Sequence, residues 1–404
     1  MSHFIVVGGG QAGASLVARL RADGFAGDIT LLCAEPVLPY QRPPLSKAYL
    51  LGDMSVDRLV LRSADYYDNQ NINVRLGTTV AAIDAANRTV TLGSGEVLNY
   101  DKLALTTGST PRRLPAAIGG DLGGVYTVRD LSDADAMAPE FIEGRHVLII
   151  GGGYIGLEAA AVAAKKGLKV TLVEMAERIL QRVACPQTSD YFRALHRAHG
   201  VDIREGVGLS RLTGSGGRVT GAELTDGTAP AIDFAIVGVG IAPAVGLAEA
   251  AGLRIENGIW TDEFARTSDA NIYAAGDCAS TVFGGQRIRL ESVGNAIDMS
   301  EVAAKNMMGK GETYAPTPWF WSDQYDVKLQ IAGLNSGYDS VAIRQGEGGA
   351  QSHWYYTGAR LIAVDAMNDP RTYMVGKRLI EMGKSPASSI VSDPATDLKA
   401  LLKA

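Results

Sequence analysis

Two short glycine runs are the residues here whose type and spacing point most directly to chemistry. They read Gly8-Gly9-Gly10-Gln11-Ala12-Gly13 and Gly151-Gly152-Gly153-Tyr154-Ile155-Gly156, each a GxGxxG. A turn of this kind opens a helix, where unpaired N–H groups and the helix dipole attract negative charge. The ligand that suits it is the pyrophosphate of a dinucleotide. Gly8 and Gly151 would make the tight turn, and Gly10 and Gly153 would let the backbone approach the phosphates. Gly13 and Gly156 would let the helix lie close to the strand. An acid follows each run, Glu35 and Glu174, placed to accept hydrogen bonds from ribose hydroxyls. One GxGxxG is also compatible with a plain tight turn. Two, each followed by an acid, argue for two dinucleotide sites. A 2′-phosphate about 4 Å from Glu174 would be repelled by roughly 4 kcal/mol at an effective dielectric near 20, so the second site is expected to take NADH rather than NADPH. Arg178, the nearest cation, lies four residues on.

The elements that would position these turns occur twice in the same order. Phe4–Val7 reads as a buried strand, a helical pattern carries Leu16, Val17 and Leu20, and Ile29–Leu32 is the next strand. Val147–Ile150, a helix from Leu157 to Lys166, and Val170–Val173 repeat that plan. The duplication continues from Ile72–Leu76 to Val201–Glu205, and from Leu103–Gly108 to Ala235–Gly240, with Gly108, Gly240 and Gly276 closing strands. After Pro316-Thr317-Pro318 the character changes. Strand-like runs at Lys328–Ala332 and Val341–Arg344 precede a hairpin pairing His353–Tyr356 with Arg360–Asp365. A helix is expected from near Arg371, carrying Val375, Leu379 and Met382. The expected fold is α/β, with two Rossmann-like dinucleotide-binding domains and a C-terminal α+β domain. Residues 1–108 with 241–315 would form the first, 109–240 the second and 316–404 the third.

Composition narrows the classes. The 404 residues are 46% hydrophobic and 20% charged, as in ordinary globular chains. A net charge of −6 argues against bulk nucleic-acid binding. No apolar run reaches the roughly 18 residues of a membrane span, and no basic region precedes Phe4, so neither a membrane nor a signal peptide is expected. The three cysteines, Cys33, Cys185 and Cys278, form no CxxC pair, which suits a reducing cytoplasm. Glycine, at 48 residues, is in excess of the usual ~7%. The two turns and the strand ends absorb part of it.

The motifs VVGGGQAG, PYQRPPLSKAYL, LTTGSTPR, LIIGGGYIGLE, IYAAGDCA, ESVGNA and PWFWSDQYDVKLQ together resemble the NADH-dependent ferredoxin reductases, within the two-dinucleotide flavoproteins related to glutathione reductase. The resemblance runs over essentially the whole chain. It implies FAD in the first domain, with Ala12 and Glu35 at the pyrophosphate and adenosine ribose. Arg42 and Lys47 would lie by the flavin, Val80 by the adenine and Arg129 near the linker. Asp277 would sit on the ribityl chain, Val293 at the isoalloxazine edge and Trp321 by the ring. Gly151, Gly153, Ile155, Gly156, Glu174 and Gly240 would serve NADH. It further implies that Lys47 lies near flavin N5 and pairs with Glu158, so Lys47, Glu158 and Trp321 are the candidate catalytic residues.

Against that family, dithiol members carry a CxxxxC pair in the first domain, and the peroxidase branch carries one cysteine after the first βαβ. Here the stretch 1–108 holds only Cys33 at a strand end, and the loop after the first βαβ reads Pro43-Pro44-Leu45-Ser46-Lys47. Electrons would therefore leave the flavin directly, to a separate [2Fe-2S] ferredoxin serving a cytochrome P450 or a ring-hydroxylating dioxygenase. Rubredoxin reduction and an apoptosis-inducing-factor-like NADH sensor are the competing readings. Oligomeric state is left open. Cys278 reads as a packing residue. Arg287, Arg289, Lys305, Lys310, Lys328 and Arg344 are candidate docking cations. No metal is expected: His196 and His199 have no further ligand, and Arg193, His196 and Arg197 read as a solvated helix face.

Overall fold

The computed structural model describes residues 2–403. The duplicated plan folds into two five-stranded parallel sheets. In the first, His3–Val7 lies between Lys102–Leu105 and Asp28–Leu32, with Ile272–Ala274 and Ile72–Arg75 at the edges. In the second, His146–Ile150 lies between Lys169–Glu174 and Phe234–Val237, with Asp202–Glu205 and Val125–Tyr126 outside them. Helices cover the faces of such sheets, so the central strands are apolar after their first residue. Ile5, Val6, Leu148 and Ile149 are wholly buried, each side chain stabilising the fold by about 1.5–3 kcal/mol.

The repeat extends to polar detail. His3 Nε2 bonds Thr30 Oγ1 at 2.9 Å, and the His3 N–H donates to Asp101 at 2.7 Å. In the second sheet His146 Nε2 bonds Thr171 Oγ1 at 3.0 Å, and its N–H donates to Asp233 at 2.7 Å. Each central strand is thus pinned at its start by the same His–Thr–Asp arrangement, a correspondence not drawn from the sequence. The antiparallel excursions differ, three strands between Val80 and Asn99 but two between Leu209 and Leu224.

The last segment is an antiparallel sheet in the order Trp319–Gln324, Val327–Gly333, Arg360–Met367, Gln351–Thr357, Ser340–Gln345. The expected hairpin is present, with Thr357 opposite Arg360. The helix runs Pro370–Glu381, capped by Asp369. It buries Val375 and Leu379, while Met382, just past its end, is exposed. Two elements carry motifs whose secondary structure was not read from the sequence: the strand Trp319–Gln324 and the helix Val293–Met307, capped by Ser292.

Contacts divide the chain into two compact units. One comprises residues 1–41, 55–110 and 241–318, the other 42–54, 111–240 and 319–404. The short stretch 42–54 packs within the second, with Leu50 in its core. Among the described residues, no helix is long and apolar enough to cross a membrane.

Candidate functional site

In the first unit the loop Gly8–Gly13 joins the central strand to the helix Gln11–Ala22. Gly8 has φ +116°, which favours glycine. A methyl group on Gly13 would come within 2.0 Å of the Gly8 carbonyl oxygen, so the helix could not seat there with any side chain. Gly10 differs: its backbone is extended and an added methyl would meet nothing within 4 Å. It forms the helix N-cap with no capping side chain, so no side chain takes the first N–H groups and space beside the turn is left open. That is the cradle a pyrophosphate needs, and the residues fit a dinucleotide.

Other expected flavin-side residues of this unit sit as follows. Glu35 accepts from the Tyr40 hydroxyl at 2.6 Å. Ala12 is buried against Gly276, and Asp277 accepts from Ser109 at 2.8 Å. Val80 lies opposite Leu92, and Val293 opens its helix.

The second unit repeats the cradle. Gly151 has φ +109°, a methyl on Gly156 would meet the Gly151 oxygen at 2.1 Å, and Gly153 opens onto free space without a capping side chain. Glu174 closes its strand, and its carboxylate accepts from the N–H groups of Gly152 at 2.7 Å and Ala176 at 2.8 Å. Those bonds hold the acid beside the glycine turn. Gly240 has φ +100°, and its carbonyl accepts from Arg112. Ile155, Met175 and Val239 are large, apolar and exposed, and they follow the carboxyl ends of three adjacent strands. Ligands of open α/β sheets bind at that edge. Met175 and Val239 were missed from the sequence; the signal was their position just past a strand end.

Lys47 and Glu158 meet. Glu158, in the helix Tyr154–Lys165, is buried, with Oε1 3.0 Å from Lys47 Nζ. It also accepts from Ser46 at 2.9 Å and Ser322 at 2.7 Å. Burial pushes the carboxyl of Glu158 up from its ordinary range, while Lys47 and the two hydroxyls pull it down. Lys47 follows a 3-10 turn, Pro43–Ser46, and its Nζ also lies 3.7 Å from Asp323 and 6.0 Å from the Trp321 ring centre. Trp321 is half-buried and stacks on Trp319 at 5.6 Å. Arg42 donates to the Arg129 carbonyl at 3.0 Å.

One reading requires correction. His196 is not on a solvated face: it is fully buried and bonds Gln324 at 2.8 Å. Arg193 pairs with Glu205 and Asp190, while Arg197 is exposed. The helix Pro186–Ala198 packs that side inward, which the single-residue reading of its charges could not show. The docking cations are mostly engaged already. Arg287 faces Glu256, Arg289 pairs with Glu291, Lys305 with Glu312 and Lys310 with Asp23. Arg344 donates to carbonyls between Val391 and Thr396.

Cys33, Cys185 and Cys278 are free and buried. Burial pushes the thiol of Cys33 up to about 12 and raises that of Cys278, so neither is a thiolate. Cys185, His353 and Asp365 lie close together. Thr188 Oγ1 stands among them, 2.7 Å from His353, 2.8 Å from Asp365 and 3.4 Å from Cys185. The hydroxyl takes the central place a cation would need.

Residues 2–300 match the family model for pyridine nucleotide-disulphide oxidoreductases, and residues 319–402 match a reductase C-terminal model. A ferredoxin–NAD(P)+ reductase of a Sphingomonas species is 43% identical over 400 residues, covering 98% of this chain and 96% of that protein. Putidaredoxin reductase of Pseudomonas putida is 39% identical over 410 residues, covering 100% and 97%. The solved covalent complex of putidaredoxin reductase with putidaredoxin contains a chain that superposes with a TM-score of 0.96 at 38% identity, covering 100% and 98%.

Proposed function

This chain belongs to the pyridine nucleotide-disulphide oxidoreductase family, and from that premise we propose that it is an FAD-dependent reductase moving electrons from NADH to a [2Fe-2S] ferredoxin. The ferredoxin would serve a cytochrome P450 or a ring-hydroxylating dioxygenase. FAD supplies the conversion between a two-electron donor and a one-electron acceptor. The observation that carries the reading is the pair of uncapped glycine N-termini, Gly10 and Gly153, in a chain whose cysteines are buried and unpaired.

The protein's own residues then divide the work. The Gly8–Gly13 turn holds the FAD pyrophosphate, with Glu35 at its ribose and Asp277 at the ribityl hydroxyls. The Gly151–Gly156 turn holds NADH, and Glu174 selects against a 2′-phosphate by like charge. Lys47 would supply the cation that stabilises negative charge developing on the flavin. Glu158 orients that cation. Trp321 offers an aromatic wall beside it.

Stopped-flow reduction by NADH, followed by mixing with a panel of ferredoxins and rubredoxin, tests the proposal. Fast reduction and fast reoxidation by a ferredoxin are expected. Faster reoxidation by rubredoxin would move the assignment to rubredoxin. A long-lived complex of NAD with reduced flavin and no fast acceptor would favour a sensor.

A further inference from the structure

The strand Trp319–Gln324 has an inner face that carries wholly buried polar residues, Ser322 and Gln324. Both are hydrogen-bonded, and the bonds form one continuous line. The Tyr325 hydroxyl donates to His196 Nδ1 at 3.2 Å, and His196 Nε2 donates to Gln324 Oε1 at 2.8 Å. Gln324 Nε2 donates to Ser322 Oγ at 3.1 Å, and Ser322 donates to Glu158 Oε1 at 2.7 Å. Every donor points toward Glu158, so the links polarise one another in one direction. His199 stacks on Tyr325 at 3.6 Å and covers the outer end.

We propose that Ser322, Gln324 and His196 are positioning residues for Lys47, acting through Glu158. The line of donors keeps the Glu158 carboxylate charged and its Oε1 turned toward Lys47 Nζ. This inference rests on the reading of Lys47 as the cation at the flavin. An apolar trio of similar volume could fill the same space at little cost to stability. What it could not supply is a donor to the carboxylate oxygen that meets Lys47. The charged or titratable groups around Glu158 are Lys47 and Asp323 beside it, and His196 and Tyr325 along the line. Asp133 and Asp135 lie on the helix Leu131–Met137 that packs against the Pro43–Ser46 turn. Burial pushes His196 down to about 4, so it is neutral where the test is made.

The test uses the FAD-loaded protein and infrared difference spectroscopy across pH, with Glu158→Gln identifying the carboxyl band. In Ser322→Ala the titration midpoint of that band should move up. Smaller upward moves are expected in Gln324→Met and His196→Leu. Ser322→Thr and His196→Gln, which keep a donor, should stay at the parent position. Flavin reduction by NADH should slow about tenfold in Ser322→Ala once Glu158 is protonated, and recover at higher pH. An unmoved band in FAD-loaded Ser322→Ala would overturn the proposal. If that variant does not fold, unmoved bands in both Gln324→Met and His196→Leu would do so. Failure of the parent to be reduced by NADH would instead overturn the functional reading, while the infrared titration still judges the hydrogen-bond line.

Discussion

At the scale of single residues, Lys47 and Glu174 carry the sharpest expectations. Lys47 is held by Glu158 at 3.0 Å and Asp323 at 3.7 Å, so its charge is fixed rather than free to swing. Lys47→Met should retain FAD and slow reduction by NADH at least tenfold in single-turnover measurements. An unchanged rate would remove Lys47 from the mechanism. Glu174 is tied to two backbone N–H groups, which keeps its charge beside the turn. Glu174→Ala should raise KM for NADH about tenfold and lower KM for NADPH, because the like-charge repulsion is gone. Steady-state kinetics with both nucleotides decide it.

At the scale of elements, the glycine turns separate folding from binding. Gly13→Ala or Gly156→Ala must push a helix off its strand, since the added carbon meets a backbone oxygen at 2.0 or 2.1 Å. Both variants should unfold at markedly lower temperature even without nucleotide. Gly10→Ala and Gly153→Ala meet nothing within 4 Å and have ordinary backbone angles. Their apo melting temperatures should match the parent or exceed it slightly. Their nucleotide affinity should fall, by FAD content for the first and by NADH titration for the second. Equal affinity in Gly10→Ala would mean that the pyrophosphate lies elsewhere.

For the whole molecule, buried titratable groups set the response to acid. Burial pushes His196 and His353 down to about 4. A histidine depressed on folding contributes stability that is present above its unfolded value near 6.5 and is lost as pH falls toward 4. Asp365 acts oppositely: burial pushes it up to about 6, so its penalty grows as pH rises from about 4 through 6. The two histidines drive a fall in stability on acidification from pH 6.5 to 4, which Asp365 and Glu158, both raised by burial, partly offset. Each histidine accounts for up to about 3 kcal/mol. His196→Gln should narrow the gap between melting temperatures at pH 7 and pH 5, and a gap as wide as the parent's would refute the assignment.

Much of this architecture was legible along the chain because local patterns specify it. An apolar strand, a GxGxxG and a following acid need only adjacent residues, so both parallel sheets, their helices and the phosphate turns could be read in order. The hairpin at Thr357-Gly358 was legible for the same reason. The Lys47–Glu158 pair could be named only through family resemblance, since 111 positions separate its members and no spacing links them. Tertiary structure alone decided the rest. His196 sits on a helix rich in charge, and only packing turned it inward. Ser322 and Gln324 became a line of donors only when their strand met the helix Tyr154–Lys165, and Lys310 and Arg344 were engaged by chain segments far from them in sequence. Backbone turns obey local sterics. The direction a polar side chain faces is set by whichever distant element removes it from water, and that is written in no single stretch of sequence.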